Sequence, residues 1–126
     1  MDKSPSKFSL VQLVMLAAAL TAAAIHLYLG LKFADVIFVL NGIGYIGLVG
    51  MYLLPINFLK PFHNLIGWAL MGYSALTIIL WAIMNGKPDP VGLLALGVEA
   101  AIIVTVLLDM RGRRKSTQLA GVEDRL

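Results

Sequence analysis

Polar residues are so sparse along most of the chain that four long apolar stretches stand out, each bounded by charges, prolines or glycines. The clearest is Val91 to Met110, VGLLALGVEAAIIVTVLLDM, an apolar run with one acid, Glu99, at its centre. At a helical rise of about 1.5 Å per residue, roughly 20 residues cover about 30 Å, the thickness of a bilayer's hydrocarbon core. This run reads as a membrane-spanning helix, and residues 8–31, 33–54 and 62–84 read as three more. The link Gly30, Leu31, Lys32 is so short that the second span must return beside the first. Pro55 and Pro61 bracket the second connection, PINFLKP, and Asn85 to Pro90, NGKPDP, form a turn of strong breakers before the fourth span. After Met110 the chain turns polar: RGRRK is a stop signal for membrane transfer, and the remaining STQLAGVEDRL is expected to fray. The pattern predicts an all-α fold, a single domain of four antiparallel transmembrane helices with a polar C-terminal tail at residues 111–126.

Composition agrees with that pattern. Hydrophobic residues make up 60% of the 126 residues and charged ones 13%, against about half and a quarter in soluble domains. Lys3 and Lys7 precede the first run as in a secretory signal, but that run of residues 8–31 exceeds a signal's apolar core of about 7–15 residues. With no cysteine, disulfides, thiolate metal sites and cysteine nucleophiles are excluded. The net charge of +3 comes mostly from residues outside the apolar runs, so it reports membrane orientation and not nucleic-acid binding. Across four alternating spans, Lys3, Lys7, Lys60, Arg111, Arg113, Arg114, Lys115 and Arg125 fall on the side of the termini, against Lys32 and Lys87 opposite. The positive-inside rule then predicts a multi-pass protein of the cell (inner) membrane with both termini cytoplasmic.

The candidate chemistry is a set of polar residues at similar depth. Measured from the outer end of each helix at about 1.5 Å per residue, His26 lies roughly 7 Å in, Thr77 about 10 Å, Asn41 about 12 Å and Glu99 roughly 14 Å, with Tyr45 and Tyr73 slightly deeper. Spacings of four residues put Tyr73, Thr77 and Trp81 on one stripe, Asn41 and Tyr45 on another, and Ala18, Ala22 and His26 on a third. A buried polar cluster follows, with Glu99 and His26 in one site. A charged carboxylate at mid-depth costs several kcal/mol, so Glu99 requires a partner or neutrality. It reads either as a protonation site or cation contact, or as a neutral acid bonded to Asn41, Tyr45 or Tyr73. His26 reads as a haem or metal ligand, or as a histidine hydrogen-bonded near the interface. His63 falls at the opposite end of its helix, roughly 20 Å from His26 along the normal, too far to share one iron. It is expected in the headgroup region beside Lys60 and Asn64. Gly42, Gly44, Gly47 and Gly50, in NGIGYIGLVG, lack the strand-turn-helix context of a dinucleotide loop and predict close helix packing. Trp68 and Trp81 are expected as interfacial aromatics, and Arg111, Arg113, Arg114 and Lys115 as a headgroup anchor.

The segments AAIHLYLG, NGIGYIGL and GYSALTIILW, followed by an acid in the fourth span, resemble a family of small prokaryotic four-helix membrane proteins without assigned function. The likeness covers about residues 10–110 and implies His26, Asn41, Tyr45, Tyr73, Thr77, Trp81 and Glu99 as positions of interest, with no activity attached. The small multidrug transporter pattern is different, because its essential acid lies on helix one, where this chain has none. No hydrolytic, nucleophilic or phosphate-loop motif is present in the sequence, so the reading is non-enzymatic. The expectation is a subunit or scaffold of a membrane assembly, lipid-embedded and either homo-oligomeric or joined to other membrane protein subunits, with no metal and no cofactor. The alternative is a proton- or cation-coupled transporter formed by an oligomer around Glu99. A haem or quinone site near His26 ranks third.

Overall fold

A computed structural model describes residues 8–84 and 89–125. The charges Lys3, Lys7 and Lys87, and the first four residues of the expected NGKPDP turn, lie outside the described residues. Among the described residues all regular structure is helical: α1 (Leu10–Lys32), α2 (Val36–Leu53), a 3-10 segment (Asn57–Phe62), α3 (His63–Met84) and α4 (Pro90–Arg125). Each of the four α-helices is long and apolar enough to cross a membrane.

Local chemistry explains where the helices start. Ser9 and Gln12 form a reciprocal cap at the head of α1, with Gln12 N–H donating to Ser9 Oγ (3.2 Å) and Ser9 N–H to Gln12 Oε1 (3.1 Å). Asp35 caps α2 by accepting from Ile37 N–H at 2.9 Å. Pro90, whose missing N–H is harmless in a first turn, begins α4, and Asp89 accepts from Gly92 N–H at 2.8 Å. The first connection therefore falls at Phe33, Ala34 and Asp35, later than the expected Gly30 to Lys32. Ala34 makes this turn at φ 52°, in the left-handed region that non-glycine residues enter at a cost of about 1–2 kcal/mol. Pro61 sits inside the 3-10 segment, which runs straight into α3.

The helices pack in a ring in which α1 lies against α2 and α4, α3 lies against α4, and α2 meets α3 more sparsely. Small residues set the closest approach. Ala18, Ala19, Ala22 and Ala23 are buried along α1, and a Cβ on Gly42 would stand 2.9 Å from the Ala23 carbonyl oxygen, so α2 can lie this near only with glycine there. Gly44 is similarly covered by the Tyr73 ring, whereas a Cβ on Gly47 or Gly50 would meet nothing within 4 Å among the described residues. The core is completed by Met15, Tyr45, Val49, Tyr52, Leu70, Ile102 and Val106. The outer faces are apolar as well, with Leu13, Leu20, Ile37, Leu76, Ile83, Leu94 and Val104 exposed, as in a helix whose surroundings are hydrocarbon.

One expectation is corrected. The segment STQLAGVEDRL, expected to fray, instead continues α4 as far as Arg125, so this helix spans 36 residues, about 54 Å. Polarity ends a membrane span but not a helix. The tail contains no proline, most of its residues are good helix formers, and extending an existing helix adds a hydrogen bond without a new nucleus.

Candidate functional site

The buried stripe of α1 carries His26, and that of α4 is centred on Glu99. Ala22 and Ala95, one turn before each, are also buried and keep the two helices close. Across this seam His26 Nε2 faces Glu99 Oε1 at 3.5 Å, with His26 4% and Glu99 2% exposed. The other ring nitrogen, Nδ1, lies 2.7 Å from the Ala22 carbonyl oxygen. A carbonyl can only accept, so Nδ1 carries a hydrogen, which fixes the tautomer. A neutral imidazole then presents a bare Nε2 that can accept from a protonated Glu99, and a protonated imidazole is best matched by an ionised Glu99. Both of these forms are neutral overall and differ by the place of one proton, although at 3.5 Å Glu99 Oε1 forms no hydrogen bond of good geometry among the described residues. Moving that proton interconverts the two forms, while adding or removing one leaves a net charge in a buried site.

Aromatic rings close this pair off. The Phe38 ring lies 6.0 Å and the Tyr45 ring 5.7 Å from the imidazole centroid, and Tyr73 meets Tyr45 edge-on at 4.9 Å. The Tyr45 hydroxyl is fully buried and forms no hydrogen bond of good geometry among the described residues. A second set of bonds joins α2 to α3 where their packing is sparsest. Tyr73 O–H donates to the Asn41 carbonyl (2.8 Å), Asn41 Nδ2 to Thr77 Oγ1 (3.4 Å), and the Thr77 hydroxyl to the Tyr73 carbonyl (2.9 Å). The residues grouped by depth thus occupy one region, with Tyr45 between the His26–Glu99 pair and the Asn41–Tyr73–Thr77 bonds.

The remaining candidates lie elsewhere. Trp68 is exposed, whereas Trp81 packs its indole against Gly92 at the start of α4. Arg111, Arg113, Arg114 and Lys115 all lie on the exposed continuation of α4. Among the described residues no group of three His, Asp or Glu side chains converges as a metal site. Nδ1 of His26 is committed to Ala22 and Nε2 faces the Glu99 carboxyl at 3.5 Å, so an iron on Nε2 would have to displace Glu99.

Sequence reasoning missed a second, partly buried cluster. Tyr52 O–H donates to Asp109 Oδ2 at 2.5 Å, and Arg113 Nε donates to the same oxygen at 3.0 Å. His63, expected among headgroups, stacks on Tyr52 with ring centroids 4.2 Å apart. The spacing of Asp109 and Arg113, four residues apart on one helix, was a legible signal. The Tyr52 contact, 57 residues away in the chain, was not.

No curated protein and no solved structure is detectably similar to the chain. Residues 2–108, the part holding the first three apolar segments, nearly all of the fourth and the His26–Glu99 pair, match one family, and the chain belongs to it: the family of unknown function DUF7475.

Proposed function

We propose that this protein is a non-enzymatic subunit of a membrane assembly that holds and releases a proton within the bilayer at the His26–Glu99 pair. The observation that carries the reading is the buried approach of Nε2 to Oε1 at 3.5 Å, with Nδ1 already committed to Ala22. Bundle glue needs no titratable pair, because well-packed apolar residues serve as well or better. In the proposed arrangement the four helices form an antiparallel bundle in the inner membrane with both termini cytoplasmic, on the strength of the eight-to-two division of Lys and Arg. Gly47, Gly72 and Gly97 have open space beside them, which supports approach by helices of another copy or another subunit. That feature also favours the second reading, a proton- or cation-coupled transporter built by an oligomer around Glu99.

Infrared difference spectroscopy across a pH titration of the lipid-reconstituted protein tests the proposal. A carboxylic-acid band that changes with pH, and is absent from Glu99→Gln, is the expected result. No change at Glu99 between pH 4 and about 9, roughly the span over which buried carboxyls titrate, would make the pair static glue and end the proton-holding reading. Vesicles containing only this protein separate the two readings. Proton-coupled solute uptake abolished by Glu99→Gln establishes the transporter, and its absence alongside a titrating Glu99 leaves the subunit.

A further inference from the structure

The bundle is polar on one side of the His26–Glu99 pair and apolar on the other. Toward the end where α2 begins and α3 finishes, α2 and α3 pack sparsely and are joined by the bonds among Asn41, Tyr73 and Thr77. The register that pairs Asn41 with Thr77 brings Tyr45 and Tyr73 together one turn further in. Ser74 and Trp81 share the face of Thr77, three residues before it and four after. Along this seam Asn41 Oδ1, Tyr45 Oη, Ser74 Oγ and Trp81 Nε1 are buried atoms with no hydrogen-bond partner among the described residues, and so is Glu99 Oε1 beside His26. The line of unpartnered atoms runs from the carboxyl to Trp81, which packs against the head of α4.

Toward the opposite end the next turn is apolar. Val49 follows Tyr45 on α2, Leu70 precedes Ser74 on α3, and Ile102 and Val106 follow Glu99 on α4, all four at most 2% exposed. Thr105, the buried polar residue of this layer, spends its hydroxyl on the Ala101 and Ile102 carbonyls at 2.7 and 3.0 Å. A layer of this kind stays dry, whereas buried polar atoms without a protein partner are where internal water is held.

We infer that the α2–α3 seam from Tyr45 to Trp81 binds a short file of water molecules, the route by which protons reach and leave the His26–Glu99 pair, and that the Val49, Leu70, Ile102 and Val106 layer closes the other side. The inference rests on the proton-holding reading of that pair. An internal water needs about two to four polar partners, which the Tyr45, Ser74 and Asn41 atoms supply in sequence. A proton leaving the pair passes from the Glu99 carboxyl to the nearest water and by successive exchange to bulk water at the Trp81 end, and the pair keeps one negative charge until the reverse step. The titratable groups around the carboxyl are His26 from α1, Tyr45 from α2 and, behind Tyr45, Tyr73 from α3.

Because the chain has no cysteine, single introduced cysteines report on the seam without background. Ser74→Cys exchanges one small side chain for another, and Leu70→Cys and Val106→Cys place equally buried thiols in the apolar layer. In lipid nanodiscs, where both ends meet water, a small methanethiosulfonate reagent needs a hydrated thiolate and should label Ser74→Cys severalfold faster than either control. Adding Tyr73→Phe, which removes the bond to the Asn41 carbonyl, should speed labelling of Ser74→Cys and leave Val106→Cys unchanged. In heavy water, the carboxylic-acid infrared band of Glu99 should exchange severalfold more slowly once Ser74→Cys carries the reagent. Labelling of Ser74→Cys no faster than of both controls would overturn the inference, as would a rate that Tyr73→Phe leaves unchanged or a Glu99 band whose exchange ignores the label. Absence of a Glu99 carboxylic-acid band at every pH would end the proton-holding reading and the proton route with it, and a persisting labelling contrast would show that the failure lies in the pair and not in the wet seam.

Discussion

Removing the buried proton pair one partner at a time should cost more than removing both. The suitable substitutions are His26→Phe, which keeps a ring against Tyr45 and Phe38, and Glu99→Met, which keeps the length of the side chain without its carboxyl. At 3.5 Å an ionised pair has a gross attraction of roughly 4–5 kcal/mol at an effective dielectric of about 20, most of it offset by desolvation of both groups. A neutral acid sharing its proton with imidazole instead resembles the interhelical hydrogen bonds of membrane proteins, which are worth about 0.6 kcal/mol on average and up to about 1.7. His26→Phe leaves the carboxyl facing an apolar ring, and Glu99→Met leaves Nε2 facing a thioether. Each buried group that loses its partner costs about 1–3 kcal/mol. In the double variant neither orphan remains, and apolar residues fill both places. Each single variant is therefore expected to lose about 1–3 kcal/mol, and the double variant no more than the worse single, a coupling of at least about 1 kcal/mol. Unfolding of the three variants and the parent in one detergent, by temperature or denaturant, measures this. Additivity within about 0.5 kcal/mol would refute the idea that these groups share a proton, since independent sites behave that way.

Tyr52→Phe should destabilise the protein by about 1–3 kcal/mol, because it removes a hydrogen bond to the partly buried Asp109 carboxyl; Asp109→Leu should in turn make Tyr52→Phe nearly neutral, and thermal unfolding of the set checks both. Gly42→Val should cost about 1–3 kcal/mol by pushing α2 off the Ala23 carbonyl, whereas Gly47→Val, with nothing within 4 Å, should stay within about 0.5 kcal/mol; the same unfolding assay distinguishes them. A cysteine introduced at Asn85 should react with an impermeant reagent in intact cells and one at Ser116 should not, and the reverse labelling would show that the charge division misassigns the cytoplasmic side.

Much of this architecture is legible without coordinates, for a physical reason. In hydrocarbon every backbone polar group must be bonded within its own segment, so an apolar run of sufficient length has helix as its one economical choice. The run around Glu99 is helical on that ground alone, and so are the three others. The shared depth of His26, Tyr45, Tyr73, Thr77 and Glu99 also follows from counting residues along helices of known rise. What counting could not decide was rotation about each helix axis and the end of α4. Rotation is set by which side chains interlock: glycine at position 42 admits the Ala23 backbone, and this turns Tyr45 inward between His26 and Tyr73. The same open geometry leaves a Cβ on Gly47 or Gly50 with nothing to meet within 4 Å among the described residues, although the sequence presents all four glycines alike. Asp109 shows the limit most plainly. Its spacing to Arg113 marks a pair along one helix, but only the fold, by bringing Tyr52 from another helix to 2.5 Å, gives it a partner across the bundle. One-dimensional pattern determines which segments are helices and how deep each residue lies, because both depend on the solvent, whereas the pairing of side chains depends on close packing between helices and was decided by the tertiary structure.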